Sequence, residues 1–123
     1  MRLRDVRVEW PGVRPPTPLE LTTFRLARRR YLGTRESARI LGVRDRGRFR
    51  DWLVAEHARG GVWVLGLWGS AGDDLPILLS WVFYPTLPQL QAGLASLLPY
   101  WLDYSLSKEV PDPGVYVELH PNR

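Results

Sequence analysis

The chain has 123 residues, a hydrophobic content of 45%, six tryptophans and no cysteine. This length predicts a single domain over residues 1–123, and the aromatic content predicts a packed core and excludes intrinsic disorder. The absence of cysteine excludes disulfides, thiolate metal sites and a cysteine nucleophile.

Charge is divided unevenly between the two halves of the sequence. Residues 1–60 hold 15 of the 16 arginines against seven acidic residues, whereas residues 61–123 hold one lysine and one arginine against six acidic residues. The first half therefore offers a cationic surface, and the second half offers apolar area to bury. The first 20 residues lack the apolar core of a signal peptide, and four prolines interrupt the low-charge stretch 75–102. We expect neither secretion by a signal peptide nor a membrane span.

The first predicted elements are a strand and a helix. Residues 2–9 alternate polar and apolar side chains, which predicts a strand with one exposed face. Thr17 can cap a helix whose first turn contains Pro18 and Glu20, because Glu20 can reach back to the cap. This helix should continue to about Leu32.

Two further helices are predicted before the middle of the chain. Thr34 as a cap and Gly42 as a stop predict a short helix over residues 35–41. The spacing of Phe49, Trp52 and Leu53 predicts a third helix over residues 46–58.

The second half of the chain predicts a hairpin, a long helix and a last strand. The apolar runs 62–68 and 76–84 flank a turn and predict two antiparallel strands. Thr86 repeats the capping signal before residues 87–106, which carry a helical stripe of leucines, and a proline inside this helix predicts a kink. Residues 115–119 alternate apolar side chains and predict a strand. The predicted fold class is α+β or α/β, with a small mixed sheet, N-terminal helices and one long kinked helix.

One core is expected to join the predicted hairpin to the long helix. Its predicted members are Trp63, Leu65, Trp81 and Leu97, because the helix stripe is the only large apolar surface available to cover one face of the sheet.

No metal or nucleophile site is predicted. His57 and His120 are the only histidines, and neither has neighbours at ligand spacing. Asp73 and Asp74 lie in a predicted turn, where a solvated loop is the simpler interpretation than a catalytic dyad.

Residues 49–85, the helix that follows and the segment Val115–Asn122 resemble the GCN5-related N-acetyltransferase fold. In that family, a loop of the form Gln/Arg-x-x-Gly-x-Gly/Ala opens a helix and holds the pyrophosphate of acetyl-coenzyme A. Gly93 and Ala95 match that loop, whereas Leu90 stands where the family has Gln or Arg. The family's last helix and two strands have no counterpart before Arg123, so the resemblance implies a truncated fold.

A weaker resemblance links residues 34–53 to helix-turn-helix segments, in which a glycine makes the turn between two helices. It implies that arginines on or near the second helix contact phosphate groups or a protein partner. These arginines are Arg44, Arg46, Arg48 and Arg50. The alternative is an arginine-rich, solvated helix with acidic residues as counter-charges.

These observations favour a non-catalytic interaction or assembly protein without a cofactor, such as a bacterial or phage structural component. The expected partner is another copy, a different protein or nucleic acid, in the cytoplasm or in a virion-like assembly. Val115, Val117 and Leu119 are the predicted interface residues, because an uncovered edge strand invites pairing with another chain. The alternatives are an acetyl-coenzyme A-dependent N-acetyltransferase and a DNA-binding protein.

Overall fold

The computed structural model describes residues 1–8, 10–31, 37–58 and 60–106. This part of the chain is a mixed α+β arrangement of one five-stranded antiparallel sheet and two α-helices. In chain order the elements are a 3₁₀ helix (Leu3–Asp5), β1 (Val13–Arg14), α1 (Pro18–Tyr31), β2 (Ser37–Arg46), β3 (Phe49–His57), β4 (Trp63–Ala71), β5 (Ile77–Tyr84) and α2 (Leu87–Leu106).

The strands lie side by side in the order in which they occur in the sequence, β1-β2-β3-β4-β5. Gly47 and Arg48 form the two-residue connection between β2 and β3, and Gly47 has a φ of 66°. A positive φ at the first position of such a turn favours glycine and matches the twist of the two strands.

The two helices pack on opposite faces of the sheet. Leu53 and Ala55 of β3 pack in the core under α2, with Leu90 and Leu94 of that helix. Their neighbours on β3, Trp52 and Val54, pack instead with Phe24 and Ala27 of α1. Because successive strand residues point to opposite faces, the fold has three layers with two cores.

Both predicted helix starts are confirmed. Thr17 Oγ1 accepts from the Glu20 N–H at 3.2 Å, and Glu20 Oε1 accepts from the Thr17 N–H at 2.9 Å. In α2, Thr86 Oγ1 accepts from the Gln89 N–H at 3.3 Å. The capping signals therefore give the beginnings of α1 and α2 correctly.

The predicted hairpin at 62–68 and 76–84 is confirmed as β4 and β5, which pair antiparallel. The core predicted around it is only partly correct. Trp63 and Leu97 pack against the cluster that contains Leu65. Trp81 pairs with Gly66 in the register that pairs Leu65 with Val82, so Trp81 lies on the opposite face of the sheet.

The two helices predicted over 35–41 and 46–58 are wrong, because this part of the chain forms β2 and β3. The side chains of β3 are buried at every position from Asp51 to Glu56, as in a strand covered on both sides. The apolar spacing fitted a helix only because both faces of this strand are buried. The helix-turn-helix expectation required both of these helices, and the acetyltransferase resemblance required the second one. Because strands stand in their place, neither expectation has a helical basis.

The strand predicted over 2–9 is also wrong. Its first part is the short 3₁₀ helix, and Val6 is fully buried. The Arg39 guanidinium donates to the carbonyl oxygens of Leu3, Arg4 and Val6 at 3.0, 2.9 and 2.7 Å. Side-chain donors from β2 therefore replace the ladder bonds that a strand would make.

The strand predicted over 115–119 lies outside the described residues. The expected mixed sheet is antiparallel throughout its five described strands. No helix in the described ranges combines the length and apolarity needed to cross a membrane.

Candidate interaction surface

Four charged side chains tie β1, α1, β2 and β3 together. Arg14 donates to both carboxylate oxygens of Glu20, at 2.7 and 2.9 Å, and to both of Asp45, at 2.7 and 3.1 Å. Arg50 contacts the same two carboxylates at 3.2 and 3.3 Å. Glu20 is buried and Asp45 is exposed. Two arginines and two carboxylates therefore neutralise one another at this corner of the sheet.

This network shifts the pKa values of Arg14, Glu20 and Asp45. The Arg14 hydrogen bonds lower the pKa of the Glu20 carboxyl below its ordinary value, against the opposing effect of burial. The same donor lowers the pKa of Asp45. The bonds to Glu20 and then Asp45 raise the pKa of Arg14. Arg14, Glu20 and Asp45 are therefore charged at neutral pH.

A second group of arginines surrounds Asp51, whose side chain is fully buried. Arg46 Nε donates to Asp51 Oδ2 at 2.9 Å, and Arg44 Nε lies 3.6 Å from the same oxygen. The side chains of both arginines are largely buried, at 10% and 13% exposure. These two arginines compensate an internal carboxylate, so they do not form an outward-facing phosphate site.

Of the four arginines predicted to meet a partner, only Arg48 faces solvent without a carboxylate within ion-pair distance among the described residues. Its guanidinium lies 5.0 Å from the centre of the Phe49 ring. In a strand, alternate residues point to opposite faces, so Arg44 and Arg50 cannot share one contact surface. The structure therefore does not bring the predicted four-arginine patch together.

A different surface lies along the outer side of β2. The short strand β1 pairs only with Val43 and Arg44, whereas β3 pairs along the whole inner side of β2. On the outer side of residues 37–42, which we call the open edge, no described strand forms a ladder. In an antiparallel strand, alternate backbone N–H and C=O groups point outward. The open edge therefore presents hydrogen-bonding groups to an additional strand.

Gly42 sets the point where the open edge ends. A Cβ at Gly42 would clash with the Val13 side chain. Glycine therefore lets β1 approach β2 here, and a bulge at Ile40–Gly42 shifts the register just before the contact. β1 ends at Arg14, and Pro15 and Pro16, which have no N–H to donate, follow it.

Two grooves flank the open edge, one on each face of the sheet. The groove beside α1 has a volume of about 310 Å³. Phe24 and Ile40 lie at its base and are buried, whereas Arg25 is exposed beside it. Arg28 also lines this groove, and its Nε lies 3.5 Å from Glu56. The groove therefore combines an apolar base with cationic walls.

The groove on the other face has a volume of about 290 Å³ and is lined by the N-terminal segment. Val6, Val8 and Leu41 supply its apolar surface, and Arg7 and Arg39 supply its charge. Arg7 is exposed, and no carboxylate in the described ranges forms an ion pair with Arg39. Charge and apolar surface thus meet on both sides of the open edge.

A third cavity, of about 470 Å³, lies between the N-terminal segment and α2. Gln91 holds the two elements together, because it accepts from the Arg7 N–H at 2.9 Å and donates to the Arg7 carbonyl at 3.0 Å. Trp10 and Leu98 line this cavity, and so does Ala95. Ala95 is thus on the surface of α2, beside the N-terminal segment.

Gly93 lies in the second turn of α2, well after the Thr86 cap. A Cβ at this position would clash with the Tyr84 hydroxyl and lie 2.6 Å from two carbon atoms of its ring. Glycine is therefore needed here for the contact between α2 and β5. Binding of acetyl-coenzyme A at Gly93 and Ala95 stays a prediction.

The remaining predicted residues are dispersed. His57 stacks on Trp63 with ring centres 4.4 Å apart, and Asp73 and Asp74 are exposed in the β4–β5 turn. No group of three or more potential metal ligands occurs within the described part of the chain. His120 and the predicted interface residues lie outside the described residues. These interface residues are Val115, Val117 and Leu119.

The open edge and its grooves were not predicted from the sequence. Residues 35–41, which include Arg39, were interpreted as a helix, and residues 2–9, which include Arg7, as a strand. The signal that points to β2 is the alternation of Ala38, Ile40 and Val43, interrupted by the bulge at Gly42.

A scan against protein-family models, a search of curated proteins and a search of solved structures found no match. The acetyltransferase resemblance therefore stays a prediction.

Proposed function

We propose that this chain is a non-catalytic interaction or assembly protein that binds its partner along the open edge of β2. One observation supports the proposal most strongly. Residues 37–42 have no described strand on their outer side, and cationic, apolar grooves flank them on both faces of the sheet. A strand added at such an edge gains main-chain hydrogen bonds, and the two grooves receive its alternating side chains.

The charge of the surface supports a partner with carboxylates. Arg7 and Arg25 are exposed, and no ion pair holds either one among the described residues. The nearby network of Arg14 and Arg50 is already neutralised by Glu20 and Asp45. Electrostatic attraction at this surface therefore comes from the groove arginines.

The experiment that tests this proposal is a mass measurement of the purified full chain by light scattering across a range of concentrations. We expect a particle larger than the 14.2 kDa monomer that dissociates on dilution. The double variant R7E/R25E should weaken association by about tenfold or more, because it places like charges against an acidic partner.

The matched control is R29E/R48E, which changes the same total charge at two exposed arginines outside the grooves. Association should be close to that of the wild type in this control. A monomer at every concentration would overturn assembly, and equal weakening by both double variants would overturn the role of the grooves.

A further inference from the structure

From the sequence and the open edge, we infer that the strand added to β2 is the segment Val115–Leu119 of a second copy of the chain. This inference rests on the proposed assembly function, and it names the partner. The segment lies outside the described residues, and its sequence carries the argument.

The alternation of the segment matches the two grooves. Val115, Val117 and Leu119 alternate with Tyr116 and Glu118. In an extended strand these two sets point to opposite faces. The three apolar side chains suit the groove whose base is formed by Phe24 and Ile40. Glu118 then points into the other groove, which Arg7 and Arg39 line.

Charge distinguishes the edge of β2 from the other edge of the sheet. β5 is the last described strand on that side, and residues 61–107 contain neither lysine nor arginine. Pairing at β5 would bring Glu118 beside a strand that has no cation among its own residues, whereas Arg7 and Arg39 line a groove at the open edge. Desolvating a carboxylate without a compensating charge is unfavourable, so the segment should prefer β2.

The lack of cysteine makes the contact directly testable. The single variants A38C and V117C are purified separately, mixed so that subunits exchange, and treated with a thiol cross-linker of about 8 Å. This length reaches both directly opposite and diagonal residues of neighbouring strands. A covalent dimer that contains one copy of each variant is the expected product, because each chain then carries a single thiol.

The matched control mixes S80C with V117C, since Ser80 lies on β5 at the other edge. This mixture should give no covalent dimer. A dimer in the control alone, or in neither mixture, would overturn the inference. If the wild-type particle is larger than a monomer at the same time, the proposed function survives. If the wild type is a monomer, the proposed assembly function is overturned, and the inference is overturned with it.

Exchanging the charges of Arg7 and Glu118 tests the proposed contact independently, through its effect on association. Glu118→Arg should weaken association by about tenfold or more, and so should Arg7→Glu, because each places like charges together. The combined variant R7E/E118R should recover most of the lost affinity. Arg48→Glu combined with E118R is the control and should not recover it, because Arg48 lies at the β2–β3 turn. Recovery by both combinations, or by neither, would contradict the contact between Glu118 and Arg7.

Discussion

At the scale of single residues, close contacts fix identities that look exchangeable in the sequence. Gly93 sits inside a helix, where alanine would ordinarily be preferred by up to about 1 kcal/mol. Its contact with Tyr84 leaves no room for a side chain. Packing between α2 and β5 therefore overrides the local helical preference.

We expect Gly93→Ala to destabilise the protein by about 1–2 kcal/mol, because overpacking against Tyr84 exceeds the gain in helix propensity. Urea unfolding measures the change. In a Tyr84→Leu background the cost should fall, since the two substitutions share one contact. An increase in stability from Gly93→Ala alone would show that the contact is absent.

Buried hydrogen bonds act at the same scale. The Trp52 indole N–H donates to Ser70 Oγ at 2.9 Å, and both residues are almost fully buried. Ser70→Ala should cost about 1–3 kcal/mol, because the buried donor loses its acceptor. Thermal unfolding measures the loss. Ser96→Ala is the comparison, since Ser96 is exposed on α2, and it should leave the midpoint nearly unchanged.

At the scale of elements, the Arg14 network decides how β1 and α1 attach to the sheet. β1 has only two residues, and its pairing with β2 covers only Val43 and Arg44. The bonds from Arg14 to Glu20 and Asp45 supplement this short ladder. Side-chain ion pairs thus help to hold β1 to β2, whereas backbone hydrogen bonds join the longer strands along their length.

We expect Arg14→Gln to lower the free energy of unfolding by about 1–3 kcal/mol at pH 7. The loss stays in this range because the Arg14 side chain is partly exposed, so solvent weakens its ion pairs. The folded-state pKa values of Glu20 and Asp45 are lowered, so their stabilisation is present above the unfolded pKa of about 4. It is lost as the pH falls through the folded pKa values. Denaturant unfolding at several pH values should therefore show the variant and the wild type converging in acid.

Arg4→Gln is the control for this pH experiment. The side chains of Arg4 and Asp5 are both well exposed, at 74% and 55%, and Arg4 Nε lies 4.0 Å from Asp5 Oδ1. Such a surface pair contributes little. A constant difference between Arg14→Gln and the wild type down to pH 2 would contradict the role of the two carboxylates.

At the scale of the whole molecule, the arginine excess of the first half is partly internal. Arg44 and Arg46 flank buried Asp51, and Arg14 and Arg50 are held by Glu20 and Asp45. The formal charge of +4 therefore overstates the cationic surface that β2 and β3 present to nucleic acid.

We expect Arg46→Gln to lower the free energy of unfolding by about 2 kcal/mol, because it weakens the compensation of a buried carboxylate. Binding to duplex DNA should be no tighter than nonspecific binding, with a Kd on the order of 10⁻⁴ M at physiological salt, and unchanged by this variant. Fluorescence anisotropy at several salt concentrations measures it. Tight binding that Arg46→Gln abolishes, with stability unchanged, would restore the DNA-binding alternative.

The sequence alone determined the elements whose signals are local. The capping box at Thr17 and Glu20 and the cap at Thr86 predicted the starts of α1 and α2. Nearly continuous apolar runs predicted β4 and β5. Each signal acts between neighbours in the chain, so it can be recognised before the chain is folded.

Only the tertiary structure decided the first half of the sheet and the candidate surface. β2 and β3 carry arginines and buried acids whose pairing depends on partners in other elements, such as Arg14 with Asp45. Residues 3–8 are held by Arg39 and by Gln91, which is 84 positions from Arg7. Such bonds form only when distant segments meet, and without them residues 35–58 match a helical spacing as well as a strand. Among the described residues, the outer side of residues 37–42 is open because the two residues of β1 pair only with Val43 and Arg44, and such pairing depends on which segments meet in the folded chain.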